Sequence, residues 1–301
     1  MNDTRQEWLQ KRRAGIGGSD AAAVLGLSKW RTPLEVYYDK RGEGTDQEDN
    51  EAMLWGRALE PVVRQQYAER TGRVVRVPEG IIQHPQYAFM LANLDGVTDD
   101  GRLVEIKTAR SPIGFGEPGT DEVPQAYLIQ VQHYLTVTAL PVADLAVLIG
   151  GSDFRLYEIP ADRELQEMII EGEAEFWHEH VERGIPPEPV SVADMQARYG
   201  RASRAASVVA GPTVQEATEK LRLIRAEMKR LEVSEEDQKA IIMGALGDAD
   251  TLLDTDGSIL VTWKAAKPAQ RFDAKALEAF DPLLYSKFIK TGEPSRRFLL
   301  K

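Results

Sequence analysis

Between Val74 and Lys107 the chain breaks into five short segments in which apolar and polar residues alternate: Val74–Val77, Ile81–His84, Met90–Asn93, Gly96–Asp99 and Leu103–Lys107. Alternation at a period of two, punctuated by Pro, Gly, Asn and Asp, predicts strands rather than helices. Asp99-Asp100-Gly101 predicts a tight hairpin turn, because Asp-Gly adopts the positive φ that such turns require. A mainly antiparallel sheet is therefore expected here, and the rest of the chain must cover it.

Helical patterns supply the cover. Ala21–Leu27 and Pro33–Lys40 read as short helices, and Gly42–Asn50 as a polar loop. Ala52–Arg70 is amphipathic, with Leu54, Ala58, Val62 and Tyr67 near helical spacing. Pro124–Leu140 reads as a helix, Leu145–Gly150 and Phe154–Ile159 as strands, and Ala161–Glu182 as a long helix. The fold class expected is α/β (α+β), a mixed central sheet flanked by helices.

The domain boundaries expected are 1–199 for this body, 200–212 for a linker of small residues, and 213–301 for an accessory domain. In the last, Val214, Ala217, Leu221, Ile224, Met228 and Leu231 step by threes and fours, a heptad seam. Ser234 with Asp237 three residues on predicts a second helix start, hence a helical hairpin through Gly247. A β-hairpin is expected over Leu252–Lys264, around Asp256-Gly257. A basic tail follows, carrying Lys264, Lys267, Arg271, Lys275, Arg296 and Arg297.

Composition excludes several classes. There is no cysteine, so disulfide scaffolds, cysteine-ligated zinc, iron–sulfur clusters and thiol nucleophiles are out. No run of ~18 apolar residues occurs, and the N-terminal MNDTRQEWLQKRRAG lacks the apolar core of a signal peptide. A cytoplasmic protein without membrane contact is expected. The net charge of −11 argues against a nucleic-acid partner at first sight. Its distribution removes that objection without deciding the partner. Residues 45–200 carry 12 Lys/Arg against 27 Asp/Glu, whereas residues 1–44 carry eight against six and residues 201–301 carry 17 against 15.

The chemistry sits in the acidic middle. Glu105 and Lys107 share one face of a strand because side chains alternate, and Asp95 precedes the neighbouring strand. Two carboxylates and an ammonium can converge there. Carboxylates suit Mg²⁺ or Mn²⁺, and a lysine can hold an attacking water or offset charge growing on a phosphate. The competing reading is a plain surface ion pair. Trp55–Glu60 offers another acid on a helix, and Gln130 and Tyr134 fall at i, i+4 on one helix face. Arg12–Asp20 is a glycine-rich turn whose amides and Ser19 could cradle a phosphate; an ordinary helix cap by Ser19 is the alternative. His178 and His180 cannot share a helix face, His133 is read as packing, and His84 is a lesser metal candidate. Trp8, Trp30 and Trp55 are expected in the core rather than as base-stacking platforms, while Lys29 and Arg31 flank Trp30 on a loop and read either as contacts to a DNA backbone or as plain solvated charges.

Read in order, WLQKRRAGIGGSDAAAVLGLSKWRTP, LWGRALEP, ANLDG, LVEIKT and QVQHYL resemble the lambda-exonuclease-like (YqaJ) viral recombinases, over Trp8 to Glu182. The resemblance implies a restriction-endonuclease-like core with a D…ExK site. It implies that Glu60, Asp95 and Glu105 hold Mg²⁺ or Mn²⁺ together with the backbone carbonyl of Ile106, that Lys107 is catalytic, and that Gln130 and Tyr134 support the site. Arg12 and Ser19, with the adjacent Arg13, would take the 5′-phosphate of a DNA end. The activity implied is a Mg²⁺-dependent 5′→3′ exonuclease on linear double-stranded DNA. It leaves 3′ overhangs for a single-strand annealing protein, works as a ring-shaped homotrimer, and is encoded by a phage or prophage. A restriction-type endonuclease and an inactive DNA-end clamp are the alternatives. The added Pro212–Lys301 segment departs from smaller members of that family.

Overall fold

The computed structural model describes residues 10–44, 50–201, 207–269, 271–290, 292 and 295–300. They form two compact units, Met1–Arg198 and Tyr199–Lys301. Trp8, part of the Gly42–Asn50 loop and part of the 200–212 segment lie outside the described residues.

The first unit begins with strand β1 (Ile16–Gly17) running into helix α1 (Gly18–Val24), followed by α2 (Pro33–Lys40) and the long α3 (Glu51–Thr71). Four short strands follow, β2 (Val75–Arg76), β3 (Ile82–Gln83), β4 (Met90–Ala92) and β5 (Gly96–Thr98), then the longer β6 (Leu103–Ala109). Helix α4 (Gln125–Thr138) leads to β7 (Val142–Ile149) and β8 (Asp153–Pro160). Helix α5 (Arg163–Glu175) continues as a π-helical turn over Phe176–Glu182, and α6 (Val192–Tyr199) ends the unit. The strands form a five-stranded sheet in the order β2-β5-β6-β7-β8 and a three-stranded one in the order β1-β4-β3.

The sheet is mixed, and less antiparallel than the alternation suggests. β6 and β7 pair in parallel from Leu103↔Ala143 to Ala109↔Ile149. The chain between them passes through α4, a crossover connection that brings β7 back in the same direction. The apolar run of β7 reflects this: it is covered on both faces, as parallel strands are. On one side of β6, Val104 and Ile106 meet Val63 and Tyr67 of α3. On the other, Leu103 joins the main core with Ile129 and Leu135 of α4. Glu105 therefore projects toward α4, into apolar surroundings.

An ion cluster pins α1 to α2. Asp20 and Lys40 side chains are both fully buried and lie 2.7 Å apart. Arg31 reaches the same carboxylate at 2.6 Å, and Arg12 does so at 3.1 Å. Arg31 also holds Asp39 at 2.9 Å, so it ties α1 to α2. A capping box of Thr32 and Glu35 fixes the start of α2.

The second unit contains α7 (Pro212–Leu246), the hairpin strands β9 (Thr251–Leu253) and β10 (Ile259–Thr262), and the short helices α8 (Ala274–Phe280) and α9 (Pro282–Phe288). Here the expected helical hairpin is corrected. α7 runs through Ser234 and Asp237 as one helix of 35 residues. The stretch Leu231–Asp237 has neither Gly nor Pro to turn the chain, and a capping pair without a breaker does not stop a helix. The tail is also more ordered than its charge implies: Asp273 and Asp281 cap α8 and α9. Among the described residues, no helix is long and apolar enough to cross a membrane.

Candidate active site

The site grows from strand alternation. Lys107 Nζ donates to Glu105 Oε1 at 2.5 Å, two residues back on the same face of β6. Gln130 Nε2, on α4, donates to the same oxygen at 2.7 Å and lies 3.2 Å from the Tyr134 hydroxyl, one helical turn on. Asp95, ahead of β5, accepts the Ile106 backbone N–H at 2.8 Å. The hairpin turn thus brings Asp95 alongside β6, while the βαβ crossover brings Gln130 and Tyr134 over it. Glu60, on α3, is paired with Arg64.

Negative charge is poorly stabilised here. Burial pushes the Glu105 carboxyl up to about 8; the charges of Asp95 and Glu60 add to the rise while Lys107 opposes it. Burial raises Asp95 as well, and raises Glu60 with help from Asp95. Glu105 Oε2 is buried with no hydrogen-bond partner, an orphan acceptor of the kind a bound ion satisfies. An oxygen-only donor set fits a hard divalent cation. Among the described residues, however, no three His, Cys, Asp or Glu side chains stand ready to hold a metal. The ion pairs with Arg64 and Lys107 occupy Glu60 and Glu105 instead.

A pocket beside the cluster is lined by Arg12, Gly17, Ser19, Ile81, Leu91, Asn93 and Tyr134. Tyr134 belongs to both, so the pocket and the carboxylates are neighbours. Arg12 Nη2 lies 3.1 Å from Ser19 Oγ. Ser19 is not the cap of α1: Gly17 holds that position, without a side-chain cap. Arg13 is directed elsewhere, to Asp39 at 3.4 Å, so Arg12 rather than Arg13 attends the pocket. Gly18 is required by close approach, since a Cβ there would meet the Tyr134 ring at 2.5 Å. Gly18→Ala is expected to displace Tyr134 from Gln130 and to cost about 1–3 kcal/mol through overpacking. Urea unfolding would show the loss.

Asn93 and Asp20 take places that their motifs alone do not assign: Asn93 lines the pocket and Asp20 anchors Arg12. Asn93 stands two residues before Asp95, so it shares that residue's entry into the site. Asp20 directly follows Ser19, but its ties to residues 12, 31 and 40 have no local signature. The histidines do structural work: His84 Nδ1 accepts the N–H groups of Gln86 and Tyr87, both at 3.0 Å. His133 bridges Glu173 at 2.7 Å and the Leu91 carbonyl at 2.9 Å, fully buried. The expectation of core tryptophans is corrected: Trp30 is 69% exposed and Trp55 57%.

This geometry can be set beside known proteins. The model of the YqaJ-like viral recombinase domain matches residues 7–141. The protein YqaJ of Bacillus subtilis (strain 168), itself uncharacterized, is 35% identical over 306 residues, covering 99% of this chain and 94% of that protein. The chain belongs to the YqaJ-like viral recombinase family. Among solved structures, the alkaline exonuclease LHK-Exo from Laribacter hongkongensis is 27% identical with a TM-score of 0.51, over 60% of this chain and 94% of that one. The same exonuclease in complex with dAMP matches with a TM-score of 0.50 at 27% identity. Family and fold together make this member a nuclease, with the mixed sheet and flanking helices expected of it.

Proposed function

We propose that this member is a metal-dependent exonuclease that degrades one strand of linear double-stranded DNA from a 5′ end. One observation carries the reading: Tyr134 joins a pocket holding Arg12, Ser19 and Asn93 to the cluster of the buried Glu105 with the half-buried Lys107 and Asp95. A cation-assisted cutting centre thus adjoins a site suited to an anion, the arrangement that reading a phosphorylated end requires. Asp95, Glu105 and Glu60, with the Ile106 carbonyl, are the groups that would hold Mg²⁺ or Mn²⁺. Such an ion would supply Lewis-acid polarisation of the scissile phosphate and a more acidic water.

The chain's own groups do the rest. Lys107, fixed on Glu105, is placed to orient a water and to offset charge developing on the phosphate. Gln130 holds Glu105 in its rotamer, and Tyr134 holds Gln130. Arg12, buttressed by Asp20, offers a guanidinium matched to a terminal phosphate. Cutting in from 5′ ends would leave 3′ overhangs, a substrate for a single-strand annealing protein. We assign this role to phage or prophage recombination in the host cytoplasm, with a homotrimer as the assembly by likeness to the family.

The phosphate assignment has a direct test. Arg12→Ala is expected to slow digestion of 5′-phosphorylated ends about 10- to 100-fold, the worth of a charge-assisted pair, with 5′-hydroxyl ends barely affected. Equal loss on both ends would remove Arg12 from that role.

A further inference from the structure

Trp30 remains outside the site as drawn. The residue is 69% exposed, and the backbone that carries it is held by hydrogen bonds. Ser28 Oγ accepts the backbone N–H groups of Trp30 at 3.1 Å and of Arg31 at 3.3 Å. Arg31 is in turn anchored on Asp20 and Asp39. The inner face of the indole stacks on Tyr127, with ring centroids 6.2 Å apart and planes 16° from parallel. The Tyr127 ring lies 5.4 Å from Lys107 Nζ and packs on Phe115. Two stacked rings therefore lead from the lysine of the cutting centre to the surface.

An exposed indole backed on one side by a second ring keeps its other π-face open to solvent. That is the arrangement that nucleobases use for stacking, because every base has a π-face and an ordered ring loses little entropy on contact. We propose that Trp30 is a stacking platform for an unpaired nucleobase of the strand being cut, with Tyr127 setting its height above Lys107. The exposed Lys29 beside it adds positive charge for the adjoining phosphate. This inference rests on the DNA-end reading and names how the frayed end is received.

The test is a binding comparison with the full chain in EDTA, so that turnover plays no part. Fluorescence anisotropy would follow a 5′-phosphorylated duplex whose two terminal 5′ nucleotides are unpaired, and the same duplex with those two sites abasic. For the wild type, removing the bases is expected to weaken binding about 5- to 100-fold, the range for one stacked base. Trp30→Ala should show that loss on the normal duplex and no further loss on the abasic one, and Trp30→Phe should recover most of the affinity. Trp30→Ala binding the normal duplex as wild type does, or losing equally on both duplexes, overturns the platform while leaving the nuclease reading intact. Failure of the wild type to bind either duplex overturns the DNA-end reading itself. Thermal melts of the variants should match wild type, because the side chain is exposed.

Discussion

Glu105→Gln and Lys107→Met are each expected to abolish DNA cleavage while duplex binding persists. Binding rests on many phosphate contacts, whereas cleavage depends on the one place where these side chains meet. For Lys107→Met the fall expected is about 10²- to 10⁴-fold, the worth of a positioned proton-handling group. For Glu105→Gln it should be at least as large, since the change removes a cation ligand as well as the partner of Lys107. The folding readout separates chemistry from architecture. Burial holds the Glu105 carboxyl above its ordinary range despite the attraction of Lys107, so its neutral isostere should leave the melting temperature unchanged or raise it. An inactive Glu105→Gln protein that melts much lower would make Glu105 a structural residue.

The second large effect is on stability. Asp20→Ala is expected to cost about 3–5 kcal/mol, because it strands the Lys40 ammonium, itself fully buried, without a countercharge. In a body of this size each kcal/mol shifts the midpoint by about 2–4 °C, so a drop near 10 °C should appear in a thermal melt. The same residue gives a pH signature. Burial alone would raise the Asp20 pKa, but Lys40, Arg12 and Arg31 together hold it far below the ordinary carboxylate range. A depressed folded-state pKa contributes stability above the unfolded value of about 4, and that stability is lost as pH falls below it. Wild type should therefore lose more stability between pH 5 and pH 3 than Asp20→Asn, which starts lower at neutral pH. Parallel losses would mean that Asp20 is not the group titrating.

Much of this was legible in the residues, for identifiable reasons. Strand alternation placed Glu105 and Lys107 on one face, and helical spacing placed Gln130 with Tyr134; the structure shows all four joined by hydrogen bonds. Periodicity is local, and these contacts follow from it once α4 crosses the sheet. What escaped was not local. The parallel pairing of β6 with β7 depends on the crossover, which no single segment encodes. Trp30, in Ser-Lys-Trp-Arg-Thr, reads alike whether buried or exposed, since its contact with Tyr127 is far away in sequence. Asp20 draws its cations from three separate segments. The continuous α7 is the converse case: Ser234 and Asp237 carry a capping signal, but nothing there forces the helix to stop.

The most direct test of the account uses linear duplexes labelled at either the 5′ or the 3′ end, together with a closed circle, each incubated with Mg²⁺ or with EDTA. The account expects the 5′ label to leave first, only with Mg²⁺, and the circle to stay whole. Earlier release of the 3′ label, cutting of the circle, or release in EDTA would contradict it.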